Sequence, residues 1–180
     1  MFIIISGVSG SGKNTVINAL IKRNPALKKF KTCTTRSVIR PEEVLDDPYI
    51  RLTTEEFENK IATGDMFEYE VVHGNLMGTL RSTIELLKSN ETNYIKDIGV
   101  EGQQSFVKRL PNEIKIVSIF LYVPKDELVE RLKNRGETEI ERRIGRFDYE
   151  NSFINNFDYV INNKNLDETV CKIEEIIANS

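Results

Sequence analysis

The chain of 180 residues has no tryptophan, one histidine (His73) and two cysteines (Cys33 and Cys171). So few soft ligands exclude a dense disulfide framework, and the cysteines are far apart, without metal-ligand spacing. This usage fits a reducing cytosol, and both thiols are expected to be buried or inert. Excess basic charge is also missing: 25 Lys and Arg against 28 Asp and Glu leave a formal net charge of −3. No global positive field draws nucleic acid or an anionic membrane, so any anion site must be built locally. No apolar stretch approaches the ~20 residues of a membrane span. The apolar N-terminal run covers only Phe2 to Ile5, too short for a signal segment. Repeats and low-complexity linkers are absent as well. The expectation is a soluble, cytoplasmic protein of one domain, large enough for a full core and small inserted subdomains.

What the chain does contain is concentrated at its start. A β-prone run ends at Ser6, and the loop Gly7-Val8-Ser9-Gly10-Ser11-Gly12 leads through Lys13 into a helical pattern. This is the strand–loop–helix layout of a phosphate-binding loop. Gly7, Gly10 and Gly12 let successive backbone N–H groups turn inward around an anion. The positive end of the following helix and the Lys13 ammonium add charge where β- and γ-phosphates would lie. The strict pattern has Ser or Thr directly after the lysine; here that position is Asn14, and Thr15 follows.

Beyond the loop, strands and helices alternate. A helix is expected from Lys13 to Arg23, with Val16, Ile17, Leu20 and Ile21 on one face. Strand character at 32–35 precedes a polar loop running to about 52. The run Thr53-Thr54-Glu55-Glu56 resembles a capping box opening a short helix that stops near Gly64. Further strands are expected at 66–72, 94–98, 115–123 and 158–161. Residues 73–78 read as a turn. Helices are expected at 80–89, 103–109, 125–134, 139–156 and 166–177. Strands separated by helices imply parallel pairing in a right-handed, helix-covered sheet.

A phosphate-binding loop fixes a donor; an acceptor has to be read from the middle of the chain. Arg36, Arg40 and Tyr49 place two guanidiniums and a phenol on a stretch without helical pattern, and arginine forks match phosphate oxygens in two-point geometry. Here the sequence resembles the guanylate kinase family. Thr34-Thr35-Arg36, Arg40-Pro41-Glu42-Glu43-Val44 and Tyr49 are similar to its T-T-R-x-x-R-x-G-E-V and D-Y-x-F segment. The resemblance continues in order through Phe67-Glu68-Tyr69, Gly74-Asn75-Leu76-Met77-Gly78-Thr79, Asp97-Ile98-Gly99-Val100-Glu101-Gly102, Arg131-Leu132-Lys133-Asn134-Arg135-Gly136 and Asp158-Tyr159-Val160-Ile161. It covers almost the whole chain.

The resemblance implies an α/β, three-layer P-loop NTPase fold with a mainly parallel central sheet. The core would span about 1–31, 80–135 and 151–180, with an inserted acceptor-binding subdomain at about 32–79 and a short lid at about 136–150. It implies transfer of a phosphoryl group from ATP to GMP with Mg²⁺. Small-molecule nucleotides would be the partners, and the chain would be a monomer or homodimer. Lys13, Arg36, Arg135 and Arg143 would be catalytic. Gly7, Ser9, Gly10, Ser11, Gly12, Lys13, Asn14, Thr15, Arg131 and Asn163 would bind ATP, with Arg131, Arg135 and Arg143 on the lid. Thr32, Arg36, Arg40, Tyr49, Glu68 and Thr79 would hold the acceptor, the Glu68 carboxylate accepting from the guanine N1–H and exocyclic amine. Thr15 and, through water, Asp97 would serve the metal. The acidic pair Asp46 and Asp47 is expected to face solvent, and His73 to be a polar loop residue. Departures from the family pattern fall mainly on the acceptor half. Gly99 stands where a second base-reading carboxylate is usual, Met77 where a tyrosine is usual, and an extra residue precedes Arg40. Two other readings remain open: a related kinase acting on another nucleotide or a ribose bisphosphate, and a non-catalytic binding module.

Overall fold

The structure, a computed structural model, describes residues 1–39, 47–72, 74–88 and 92–180. The chain begins β1 (Phe2–Ser6), α1 (Lys13–Arg23), β2 (Leu27–Lys29), β3 (Thr32–Thr34), β4 (Tyr49–Arg51) and α2 (Thr54–Ala62). It continues with β5 (Met66–Val72), β6 (Asn75–Leu80), α3 (Arg81–Leu86), β7 (Asn93–Asp97) and α4 (Val100–Arg109). The last third contains β8 (Ile116–Tyr122), α5 (Lys125–Asn134), α6 (Ile140–Ile144), α7 (Phe147–Asn151), β9 (Tyr159–Asn162) and α8 (Leu166–Asn179).

Every residue of β1 is buried. A strand apolar at each position requires cover on both faces, which is the situation of a parallel sheet packed between helices. Because side chains alternate across a strand, β1 feeds two cores. Ile3 and Ile5 pack with Val16 and Leu20 of α1 and Val170 and Ile173 of α8. Phe2 and Ile4 pack on the other face with Phe30, Ile84 and Phe106. The sheet order is β2-β7-β1-β8-β9, and all its pairings are parallel. This is the three-layer, parallel architecture expected from the sequence.

A second sheet, in the order β4-β3-β6-β5, lies within residues 32–80. Its β3–β4 pairing is parallel, and β6 runs antiparallel to β3 and β5. Helix α2 covers it, placing Phe57 in a cluster with Cys33, Met66 and Leu80. The capping box is formed as expected: Glu56 N–H donates to Thr53 Oγ1 at 3.1 Å, and Thr53 N–H donates to Glu56 Oε2 at 2.7 Å.

Several elements differ from the sequence expectation. Residues 75–78, expected as part of a turn, and Leu80, expected to open a helix, belong to β6, because pairing on both sides supplies the order that their glycine-containing sequence does not. The short strands β2 and β4 were not foreseen either, since three residues carry too little periodicity. Helix α4 starts at Val100, earlier than expected, with Gly99 as its N-cap. The single helix expected at 139–156 is broken into α6, α7 and a 3₁₀ turn at Ile154–Asn156, with Gly145 as the C-cap of α6. Neither short helix buries a residue fully, so no core stripe holds the stretch in one continuous rod. No helix among the described residues is long and apolar enough to cross a membrane.

The two cysteines differ. Cys33 is buried, and burial, with Glu68 nearby, pushes its thiol up to about 11. Cys171 is exposed, so of the two thiols expected to be buried or inert only Cys33 is buried. The native protein is expected to show one thiol reactive toward an aromatic disulfide reagent at neutral pH and two after unfolding; two fast thiols in the native state would contradict the packing. At Gly78, an added Cβ would stand 2.5 Å from Glu68 O and 2.6 Å from Met66 Cε. Gly78→Ala should therefore push β5 from β6 and lower stability by about 1–3 kcal/mol, measured by denaturant unfolding.

Candidate active site

The loop after β1 forms one wall of a cavity of about 600 Å³. Its three glycines have φ of 143°, 90° and 91° at Gly7, Gly10 and Gly12, the region that side chains rarely adopt. At Gly12 the reason is also steric, because an added Cβ would lie 2.7 Å from Asn163 Nδ2. Asn163 Nδ2 itself donates to Ser11 O at 2.7 Å, pinning the loop from the end of β9. Ser11 Oγ is buried without a hydrogen-bond partner among the described residues. The Lys13 ammonium donates to Gly7 O at 2.6 Å and to Val8 O at 3.2 Å. Burial lowers its pKa, and the opposite charges of Asp97 and Glu150 act against that shift.

Across the cavity stand the guanidiniums of Arg131, Arg135 and Arg143. Arg131 Nη2 donates to Glu127 Oε1 at 2.7 Å and to Asn163 O at 2.6 Å. Arg143 Nη1 donates to Ser9 Oγ at 2.8 Å, while its Nε lies 2.5 Å from Glu137 Oε2. Arg131 belongs to α5 and Arg135 caps it, while Arg143 lies on α6. Asn14 and Thr15 are exposed at the mouth and line the same cavity.

A second cavity, of about 510 Å³, lies between the two sheets, and Asp97 lines both cavities. The β1–β7 register places Asp97 beside Ile5, two residues ahead of Gly7. Thr32, Tyr49 and Glu68 line this second space. Glu68 Oε1 accepts from Thr79 Oγ1 at 2.6 Å, and Thr79 is fully buried. Burial and neighbouring Glu70 raise the Glu68 pKa, although the Thr79 hydrogen bond and Arg109 oppose the rise. Arg36 lies over the Tyr49 ring, 5.4 Å from its centroid, and donates to Val38 O. Arg40 lies outside the described residues, as do His73 and Asp46.

Asp47 does not face solvent freely. Burial pushes its carboxyl up, but Arg51 and the Tyr49 N–H more than offset this and hold it below the usual range. Arg51 Nε and Nη2 grip it at 2.6 and 3.2 Å, and Arg51 Nη1 donates to Arg36 O at 2.5 Å. This fork braces the segment that carries Arg36 and Tyr49. Sequence reasoning missed Arg51, behind this segment, and, in the lining of the second cavity, Lys96, Arg146 and Glu150. Lys96 was detectable as a lysine interrupting the apolar strand pattern directly before Asp97. Glu150 gave no signal toward the site, because Lys13, which acts on it electrostatically, is distant in sequence; its near partner Arg146, 3.2 Å away, is an ordinary i,i+4 pair.

Known proteins resemble this chain in sequence and fold. The family profile described as guanylate kinase matches residues 1–180. The guanylate kinase of Prochlorococcus marinus is 37% identical, covering 97% of this chain and 95% of that protein. The guanylate kinase of Thermotoga maritima is 33% identical, covering 97% of this chain and 84% of that protein. The crystal structure of guanylate kinase from Anaplasma phagocytophilum superposes with a TM-score of 0.75 at 27% identity, over 99% of this chain and 85% of that one. A shikimate kinase from Aquifex aeolicus, at a TM-score of 0.52 and 15% identity, shares the fold alone. With a glycine cradle, a shared carboxylate between two cavities and a match over its full length, the chain belongs to the guanylate kinase family of phosphotransferases.

Proposed function

We propose that this protein transfers the terminal phosphoryl group of ATP to GMP, giving ADP and GDP, by direct in-line displacement. The observation that carries this reading is the meeting of the two cavities at Asp97: one is lined by cations and the glycine loop, the other by Glu68, which the buried Thr79 hydroxyl holds from behind. Residues 1–31, 80–135 and 151–180 act as the core, 32–79 as the acceptor-binding part and 136–150 as the lid.

In this reading the loop N–H groups and Lys13 hold the donor phosphates, Lys13 exchanging its contacts with the Gly7 and Val8 carbonyls for phosphate oxygens. Arg135 and Arg143 balance the charge that spreads over the transferred group, and Arg131 and Asn163 steady the donor side. Such transfer is catalysed mainly by alignment and charge neutralisation, and closure of the lid keeps water out. A general base is unnecessary, because the acceptor oxygen is already anionic. Thr15 and Asp97 form an all-oxygen pair suited to Mg²⁺, which binds through one or two carboxylates plus substrate phosphates. Those two residues would hold the ion, Asp97 through water; when bound, it supplies charge neutralisation on the phosphates. Arg36, Arg40 and Tyr49 grip the acceptor phosphate, and Thr32 and Thr79 flank the base. The Glu68 carboxylate accepts from the guanine N1–H and amine. Adenine, whose N1 is an acceptor, would leave that carboxylate unpaired. One observation favours a second reading with broader acceptor choice: a Cβ at Gly99 would meet nothing within 4 Å, so the acceptor cavity is open there.

Coupled ADP-release assays with ATP–Mg²⁺ and a panel of nucleoside monophosphates and phosphosugars test the assignment. Turnover is expected with GMP and abolished in Lys13→Ala; turnover only with another acceptor would refute it. Glu68→Ala should lower kcat/KM for GMP about tenfold to a hundredfold, the range expected for a lost charge-assisted bond, and an unchanged value would remove Glu68 from base reading. The pH dependence follows from the raised Glu68 pKa. Protonated Glu68 cannot accept from guanine, so kcat/KM for GMP should rise as pH climbs through a value above the ordinary 4.5, and Glu68→Gln should lose that limb.

A further inference from the structure

Lys96 is a buried cation to which the mechanism above assigns no role. It stands on β7 between core residue Ile95 and Asp97, and only 7% of it is exposed. Removing an ammonium from water is costly unless other groups replace its hydration. Two such groups are visible. Its Nζ lies 3.3 Å from Asp97 Oδ1 and 4.8 Å from the centroid of the Tyr49 ring. The second contact crosses between the sheets, from β7 of the central sheet to β4 of the other. Arg36 and Arg51 approach the same ring at 5.4 and 5.9 Å. Three cations thus gather around one phenol, and Lys96 lines the second cavity alongside Tyr49 and Asp97.

Met77, whose side chain has no hydrogen-bond donor, lines the same cavity. We propose that Lys96 is a specificity-determining ligand of the acceptor's phosphate. Beside Tyr49 and Asp97 it supplies a charge that Met77 of the same cavity cannot, and it favours an acceptor whose phosphate is dianionic. The proposal rests on the reading of the second cavity as the acceptor site. Lysine suits the task as a compact charge with three donors, able to keep Asp97 while turning a further N–H toward a phosphate oxygen. The phosphates of the two substrates repel each other, and a cation beside Asp97 stands at the boundary between their cavities.

The test compares Lys96→Met, which keeps the length but removes the charge, with Lys96→Arg, which keeps the charge. Lys96→Met should raise KM for GMP about tenfold to a hundredfold, while KM for ATP stays unchanged. Lys96→Arg should recover most of the loss. The rise of KM for GMP with ionic strength should be steeper in the unmodified protein than in Lys96→Met, a difference that a merely structural lysine would not produce. On the unmodified protein labelled at lysine ¹³Cε, the Lys96 resonance, assigned by its disappearance in Lys96→Arg, should shift with GMP and not with guanosine. An unchanged KM for GMP in a folded Lys96→Met protein overturns the proposal, as does a Lys96 resonance that responds equally to GMP and guanosine. If Lys96→Met fails to fold, the resonance decides alone. Absence of GMP turnover in the unmodified protein refutes the acceptor reading instead, so the two failures are distinguishable.

Discussion

Charge repulsion is the constraint on which the rest of the site depends. Two phosphorylated substrates must meet side by side in a chain with a formal net charge of −3. At 4 Å, two unit charges interact by about 4 kcal/mol at an effective dielectric constant near 20, so unbalanced anions would not share a boundary. The chain answers locally, and it does so with tethered cations. Arg131 is held by Glu127, Arg143 by Glu137, Arg51 by Asp47, Arg146 by Glu150 and Lys96 by Asp97. The partly exposed pairs among them contribute only about 0–1 kcal/mol each to stability. Their effect is positional: each acid restricts a long, flexible side chain.

That local balance works only if its members arrive from the right elements, which the parallel sheet arranges. β1 ends at Ser6, so the glycine loop starts at the carboxyl edge of the sheet, where neighbouring strands also end. β7 delivers Asp97 to the same edge, and the end of β9 delivers Asn163 against Gly12 and Ser11. Strand order runs outward on both sides of β1, toward β7 and toward β8, and ligands of open α/β sheets bind in the crevice where the order reverses. The buried Phe2–Ser6 run is thus more than core: it anchors the starting point of the loop on both faces.

How far the sequence could be read follows from whether a signal was local. The glycine loop and Lys13 were legible because strand, loop and helix are contiguous, and the capping box at Thr53 and Glu56 for the same reason. Alternating strands and helices gave the parallel core. β4 and β6 were not legible, since their order comes from pairing with β3 and β5 rather than from their own residues. The break of 139–156 into separate helices reflects missing burial, which periodicity alone does not report. Within the site, Glu68 and Tyr49 were named through a family pattern. Arg51, Lys96 and Glu150 were missed because, besides a local acid or base, each meets a group remote in sequence: Arg36, Tyr49 and Lys13 respectively. Asp47 was misplaced for the same reason, its carboxyl being fixed by a guanidinium that had drawn no notice.

The same logic explains why residues 136–150 are built as they are. α6 and α7 bury no residue fully, and Phe147 packs only partly against the nearby core. What ties α7 down is polar: Tyr149 Oη donates to Glu101 Oε1 at 2.5 Å, Arg146 lies 3.7 Å from Glu101 and Lys125 lies 3.8 Å from Asp148. Elements with few apolar contacts and exposed polar ties open at low free energy, as a segment bordering a nucleotide entrance must. Glu150 makes that segment more than a cover. Burial raises its pKa while Lys13 and Arg146 lower it, and Glu150 in turn helps keep Lys13 cationic. Lys13 of the loop and α7 therefore act on each other's charge through one carboxylate.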